Sequence, residues 1–330
     1  IIYRGLCSES DICELSKNIF ELISDAEIGR IARQTRFVKI KSNLDGASFL
    51  KLLLGDSEQD KHLSLNQMSL EALDKKGNPL SKQAIDARFS SKSTLFIKTV
   101  FENYLEKCNQ SLHQGIDLGW MDLFSEVLIK DGTRFDLPQA FKKHFTGFGG
   151  KYTSDSAICI QFEYDLKSGK IKELKTTSAN IPDSKDAQIT KDEIKPGSLI
   201  IRDLGYFGLD IFQEMHLKKA YYISKLNTQV YVYQKDNEEK LLDFKKLHQR
   251  FIKTGQQHLE LDVFIGKNHK IPTRMVIEEV PKEIYQQRMH KANKENKKNG
   301  YTMRKEYAAR QHFNIYITNI EREKLPAKAI

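Results

Sequence analysis

Ser125-Glu126-Val127-Leu128-Ile129-Lys130-Asp131-Gly132-Thr133 and Gly197-Ser198-Leu199-Ile200-Ile201-Arg202-Asp203-Leu204-Gly205-Tyr206-Phe207 share one pattern: three aliphatic residues, one cation, one aspartate. An aliphatic run without polar alternation suits a short strand buried on both faces, and functional groups of α/β folds gather where such strands end. If the two strands are neighbours, Asp131 and Asp203 converge on one spot. Two carboxylates in contact repel unless a cation lies between them, and the hard, oxygen-seeking choices are Mg²⁺ and Mn²⁺. The pair points to a metal-dependent phosphoryl-transfer site. Singly, neither aspartate is specific: Asp131-Gly132 is a common turn dipeptide, and Asp203 before Leu204 suits a cap. Their repetition behind matching runs is the stronger signal.

Between the two runs, Ile158, Ile160, Phe162 and Tyr164 alternate with Cys159, Gln161 and Glu163, then Lys167-Ser168-Gly169 leads to a second run ending at Thr177. This spacing predicts a hairpin with one buried face. A short helical stretch is expected near Ala187 to Ile194, a helix on Leu209, Phe212 and Met215, and a strand at Ala220 to Ile223. Strand, hairpin, helix, strand is the order of an RNase H-like sheet, in which the first and fourth strands are adjacent and each brings an acid. Further strands are expected at Val230–Tyr233, Leu259–Ile265, Arg274–Ile277 and Phe313–Ile320.

Residues up to about 115 read as helical. Ser24-Asp25-Ala26-Glu27 is a capping box before Ile28, Ile31 and Ala32. Leu65 to Leu73 suits a short helix, Lys75 to Pro79 a turn, and Ser81 the N-cap of a helix to Phe89, a helix-turn-helix pattern found in DNA readers and in plain packing motifs alike. Ile97, Val100, Phe101, Tyr104, Leu105 and Cys108 form a core stripe of a longer helix.

The 330 residues include 39% apolar residues, enough for more than one core, and no aliphatic run approaches bilayer-spanning length. The chain begins at Ile1 and reads as a fragment. Cys7, Cys13, Cys108 and Cys159 lack zinc-ligand spacing and suit reduced thiols in a cytoplasmic protein. Gly147-Phe148-Gly149-Gly150 lacks the Lys-Ser or Lys-Thr of a P-loop, and there is no GxSxG elbow, so nucleotide cofactors and serine-hydrolase chemistry gain no support. The formal charge of +9 is concentrated: Lys282 to Arg310 holds nine Lys or Arg against three Glu. A polyanion partner and a solvated basic helix both fit that charge.

With the two aspartate motifs, the helical start and Ile317-Thr318-Asn319-Ile320 near the end, the chain resembles bacterial insertion-sequence transposases of the DDE type, the cut-and-paste group whose RNase H-like core is interrupted by a β-rich insertion. The resemblance spans nearly the whole chain. It implies an α/β fold with a helical DNA-binding region over 1–115, a first part of the catalytic core over 116–225, a β-rich insertion with the basic segment over 226–312, and a return to the core over 313–330. Asp131 and Asp203 correspond to the first two acids and would hold Mg²⁺ or Mn²⁺, two ions in a complete site, with Asp131 bridging them. Arg88, Lys142, Lys143, Arg288, Lys291, Lys294, Lys297, Lys298, Arg304 and Lys305 are the expected contacts to double-stranded DNA, bound by a homodimer in the bacterial cytoplasm at the nucleoid.

In the family the third acid is a Glu in Tyr-x2-Arg-x3-Glu-x6-Lys, on a helix after the Ile-Thr-Asn strand. Here Tyr285-x2-Arg288 reaches Ala292 and Tyr301-x2-Arg304 reaches Ala308, both before Thr318-Asn319. The third acid is therefore expected to be missing from this chain, which would leave it inactive alone; otherwise Glu283, Glu295 and Glu306 are the candidates. Two other readings remain open: a non-catalytic DNA-binding remnant, and an RNase H-like nuclease without strand transfer.

Overall fold

The computed structural model describes residues 19–40, 44–54, 64–73, 77, 79–113, 119–150 and 153–330. They fall into two units, Ile1–Ile116 and Asp117–Ile330. Among the described residues no helix is long and apolar enough to cross a membrane. Cys7 and Cys13 lie outside the described residues, as does most of the Lys75–Pro79 turn.

The first unit is helical: α1 (Asp25–Gln34), α2 (Gly46–Leu54), α3 (Leu65–Glu71), α4 (Lys82–Asp86) and α5 (Ser91–His113). Ser24 and Glu27 form the capping box, each satisfying the other's backbone N–H at the start of α1. Ser64 and Gln67 do the same for α3, and Ser81 accepts from the Ala84 N–H at the start of α4. Ile28, Ile31, Phe49, Ile85, Phe96 and Val100 close the core, with the Phe37 ring stacked 4.8 Å from that of Phe96. The stripe on α5 is set differently from the one the spacing predicts: Phe96 is buried while Ile97 is 36% exposed. Both residues fit an apolar helix face, and only the position of α1 and α2 selects Phe96. α4 is five residues long, short for a helix that lies along a DNA groove.

The second unit is mixed α/β, built on one nine-stranded sheet of order β3-β2-β1-β4-β5-β9-β8-β7-β6. Its strands are β1 (Val127–Asp136), β2 (Ala157–Asp165), β3 (Lys170–Ser178), β4 (Leu199–Arg202), β5 (Tyr221–Lys225), β6 (Val232–Gln234), β7 (His258–Ile265), β8 (Ile271–Glu279) and β9 (Phe313–Thr318). The helices are α6 (Asp183–Ile189), α7 (Leu209–Leu217), α8 (Phe244–Thr254), α9 (Lys282–Asn299) and α10 (Lys305–Arg310). β1 runs parallel to β4, and β4 parallel to β5; the remaining neighbours are antiparallel. The β-rich stretch after residue 226 extends this same sheet, because β8 pairs with β9 along Arg274–Glu279. Ile200, Met215, Tyr222, Met275, Ile277, Ile315 and Ile317 belong to one core that runs across both halves.

The β1–β3 region buries the face that the sequence makes look exposed. Cys159, Gln161 and Glu163 are buried, whereas of the expected face Tyr164 is buried but Ile158, Ile160 and Phe162 are only half-buried. The reason is charge pairing beneath α6. Lys130, Glu163 and Arg202 occupy one row across β2, β1 and β4, joined by Glu173 on β3. Lys130 pairs with Glu173 and lies 2.7 Å from Asp186 of α6, Lys175 lies 2.9 Å from Asp186, and Arg202 lies 2.8 Å from Glu163. Three cations meet three anions, so the buried row carries no formal net charge. Buried charges persist only when paired in this way.

Candidate active site

The site grows from the register of β1 and β4. Lys130 is paired with Arg202, so Asp131 and Asp203 follow at equivalent positions where the two parallel strands begin to part. Strand alternation turns Lys130 toward α6 and Asp131 to the opposite face. Asp131 is half-buried, and its Oδ1 accepts the Gly132 N–H at 2.8 Å. Asp203 is exposed, and its carboxylate accepts the Leu204 N–H at the head of a single 3₁₀ turn, Leu204–Tyr206. Burial pushes the Asp131 carboxyl above its ordinary value, the Gly132 N–H opposes this, and the carboxylates of Asp203 and Asp183 push it higher. Two oxygen-donor groups in mutual repulsion fit a hard divalent cation. Among the described residues no cluster of three or more acidic, His or Cys side chains completes a metal cage. Glu283, Glu295 and Glu306 lie on the exposed surface of α9 and α10.

Beneath the acids lies a polar network that no motif in the sequence announces. Asp183, the first residue of α6, accepts from Arg134 Nη2 at 2.7 Å and from Gln161 Nε2 at 3.1 Å. Gln161 Oε1 in turn accepts the Tyr206 hydroxyl. Burial raises the Tyr206 phenol far above its ordinary value, so it remains a donor at any physiological pH. The sequence carried one hint of this layer: the polar residues of Cys159-x-Gln161-x-Glu163 share a strand face.

The expected DNA contacts divide by how they are held. Lys291, Lys294, Lys297 and Lys298 are exposed on α9, a helix with no buried residue, and Arg304 and Lys305 are exposed at the start of α10. Arg288 is committed elsewhere: it donates to the carbonyls of Gln311 and Phe313 and to Asn314 Oδ1 at 2.7 Å, fastening α9 to the start of β9. Lys142 pairs with Asp155 at 2.8 Å, while Lys143 is exposed. Arg88, in the first unit, stacks over the Phe37 ring. Because β9 is antiparallel to β5 and β5 is parallel to β4, α9 and α10 enter β9 at the sheet end where β4 reaches Asp203. β9 lies two strands from β4, about 10 Å across the sheet.

Residues 122–330 match the transposase DDE domain family. The chain is 27% identical to the transposase of insertion sequence element IS231E from Bacillus thuringiensis subsp. finitimus, over 99% of this chain and 70% of that protein. It is 27% identical to the transposase of IS1151 from Clostridium perfringens, over 93% of this chain and 67% of that one. A cryo-EM structure of piggyBac transposase in a synaptic complex with hairpin DNA aligns with 96% of this chain and 62% of its own, at 9% identity and a TM-score of 0.34, a likeness too slight to carry a fold assignment. With the family match covering the whole sheet and both aspartate motifs, the chain belongs to the DDE transposases of insertion sequences.

Proposed function

We propose that this chain binds the ends of its insertion sequence as duplex DNA and carries the metal-dependent site that cuts their phosphodiesters and joins them to a target. The observation that carries the reading is the in-register parallel pairing of the strands behind Asp131 and Asp203. That pairing is also what supports an RNase H-like arrangement of β1–β5, with β6–β8 as the family's β-rich insertion.

Asp131 and Asp203 would hold the Mg²⁺ or Mn²⁺. Bound there, the cations supply activation of an attacking oxygen and stabilisation of a leaving one. The protein's part is positioning. Gly132 N–H and Leu204 N–H each hold one oxygen of an aspartate, leaving the other free to face a ligand. Lys130 and Arg202, immediately before the acids, are buried and pair on the α6 face, Lys130 with Glu173 and Asp186 and Arg202 through Nη2 with Glu163. The exposed lysines of α9 supply phosphate contacts that give affinity and orientation with little sequence information. Among the described residues no third acid joins the pair; held by two acids the second ion would be loose, and cleavage should be slow.

The test is cleavage of duplex DNA bearing the element's ends in Mn²⁺, with the chain and its Asp131→Asn and Asp203→Asn variants. Slow nicking that both variants abolish supports the reading. Mn²⁺-dependent nicking that survives both would overturn it, and nicking without end-joining would favour the simple nuclease.

A further inference from the structure

We propose that Asp183 is a positioning residue for the acid pair: one carboxylate, wedged between two glycines, sets the spacing of the chain segments that carry Asp131 and Asp203. The inference rests on the acid-pair reading above.

Each oxygen of Asp183 lies against a different one of the two motifs. A Cβ placed on Gly132, the residue after Asp131, would stand 3.1 Å from Asp183 Oδ1, 3.1 Å from Gln161 Nε2 and 3.2 Å from the Tyr206 hydroxyl. A Cβ on Gly205, two residues after Asp203, would stand 2.8 Å from Asp183 Oδ2. Any side chain at Gly205 must therefore displace the carboxylate, and one at Gly132 crowds three polar atoms at once. Glycine here is a matter of close approach, since no left-handed conformation is involved at either position.

The carboxylate is itself fixed. Arg134, two residues beyond Gly132 on the same strand face, reaches both oxygens, Nη2 to Oδ1 at 2.7 Å and Nη1 to Oδ2 at 3.4 Å. The same guanidinium donates to the Ala179 and Ile181 carbonyls, which anchors the segment leading into α6. Gln161 holds Oδ1 from β2 and ties it to Tyr206, the residue after Gly205. β1, β2, the head of α6 and the turn after β4 thus meet on one side chain. Both oxygens are occupied from the α6 side of the sheet, opposite the face that Asp131 presents, so Asp183 is no ligand itself: it positions the acids through the backbone, and its charge reaches Asp131 only at a distance. Groups that orient metal ligands from behind commonly change affinity by about 10- to 100-fold when removed.

The experiment is Mn²⁺ binding to the full chain without DNA, by titration calorimetry, alongside thermal melts in EDTA. Asp183→Ala and Gly205→Ala should each weaken Mn²⁺ binding by about tenfold. Asp183→Asn, which keeps the shape and the Oδ1 acceptor, should restore most of the affinity. In the variant combining Asp183→Ala with Gly205→Ala, the shortened side chain at position 183 makes room for the new Cβ, so the two losses should not multiply. Should Asp183→Ala misfold, Gly205→Ala and Asp183→Asn carry the test. A merely structural cap would lower the melting temperature of the Asp183 variants with Mn²⁺ affinity unchanged, and that result overturns the proposal. If Asp131→Asn and Asp203→Asn leave Mn²⁺ affinity unchanged, the acid-pair reading falls and takes this inference with it. If those two weaken binding while the Asp183 and Gly205 variants do not, only the inference falls.

Discussion

Lys130 and Arg202 are register partners on adjacent parallel strands, and each immediately precedes an aspartate of the candidate site. The two cations are consumed on the face beneath α6, by Asp186 and Glu173 for Lys130 and by Glu163 for Arg202. Among the described residues neither aspartate beyond them forms an ion pair, and Arg134 acts on Asp131 only at a distance. A lysine beside the pair would compete with a divalent cation for the carboxylates, so that separation favours the proposed metal site.

Asp131→Asn should stabilise the metal-free protein while removing its response to metal. The Asp131 carboxyl titrates above its ordinary value in the folded state. Between the unfolded and folded values the folded protein holds more protons, so stability falls as pH rises through that window and stays reduced at neutral pH. Allowing for solvent screening of a half-exposed group, the variant should melt about 1–3 °C higher in EDTA at pH 7. Millimolar Mn²⁺ should raise the melting temperature of the wild type and leave that of the variant nearly unchanged.

Lys130→Met should be among the most damaging substitutions in the second unit. It leaves Glu173 and Asp186, two carboxylates in a buried layer, to share Lys175 alone, at a cost of about 3–5 kcal/mol. Burial alone would raise the Asp186 carboxyl, but the Lys130 and Lys175 hydrogen bonds outweigh it and hold the group below its ordinary value. That contribution is present above the unfolded value and lost as pH falls through the folded one. Wild-type stability, followed by urea unfolding, should therefore drop below about pH 4, and Asp186→Asn should flatten that drop.

On α9, reversing Lys294, Lys297 and Lys298 to Glu should weaken binding to every duplex and lower the salt slope by about one for each phosphate no longer neutralised. Arg288→Ala should behave differently. Its guanidinium is occupied by the Gln311 and Phe313 carbonyls and by Asn314, so the variant should lose stability and keep the wild-type slope. An unchanged slope in the triple lysine variant would mean that the basic helix is only solvated.

Asn319 should be required for the sheet. Its Oδ1 accepts the Tyr222 N–H at 3.0 Å and its Nδ2 donates to the Ala220 carbonyl at 2.7 Å, so one side chain continues the ladder between β5 and β9 past Thr318. Asn319→Leu leaves both backbone groups unpaired, each costing about 1–3 kcal/mol. Asn319→Asp keeps only the acceptor and should cost about half as much, measured by chemical denaturation.

Much of both units was legible in the sequence because its signals are local. Two aliphatic runs of equal length marked β1 and β4, Ser24 and Ser81 marked helix starts, and the Lys167-Ser168-Gly169 turn marked the β2–β3 hairpin. The spacing of charge along α9 was equally plain. Tertiary structure alone decided which face of the hairpin is buried. Ile158, Ile160 and Phe162 are the apolar choice by composition, yet α6 brings Asp183 and Asp186 onto the other face, where Arg134, Lys130 and Lys175 neutralise them. Charge pairing across strands and a helix is a relation between distant residues, and no periodicity within one segment records it. The same holds for Gly132 and Gly205, ordinary glycines in the sequence, which the fold presses against the two oxygens of a single aspartate.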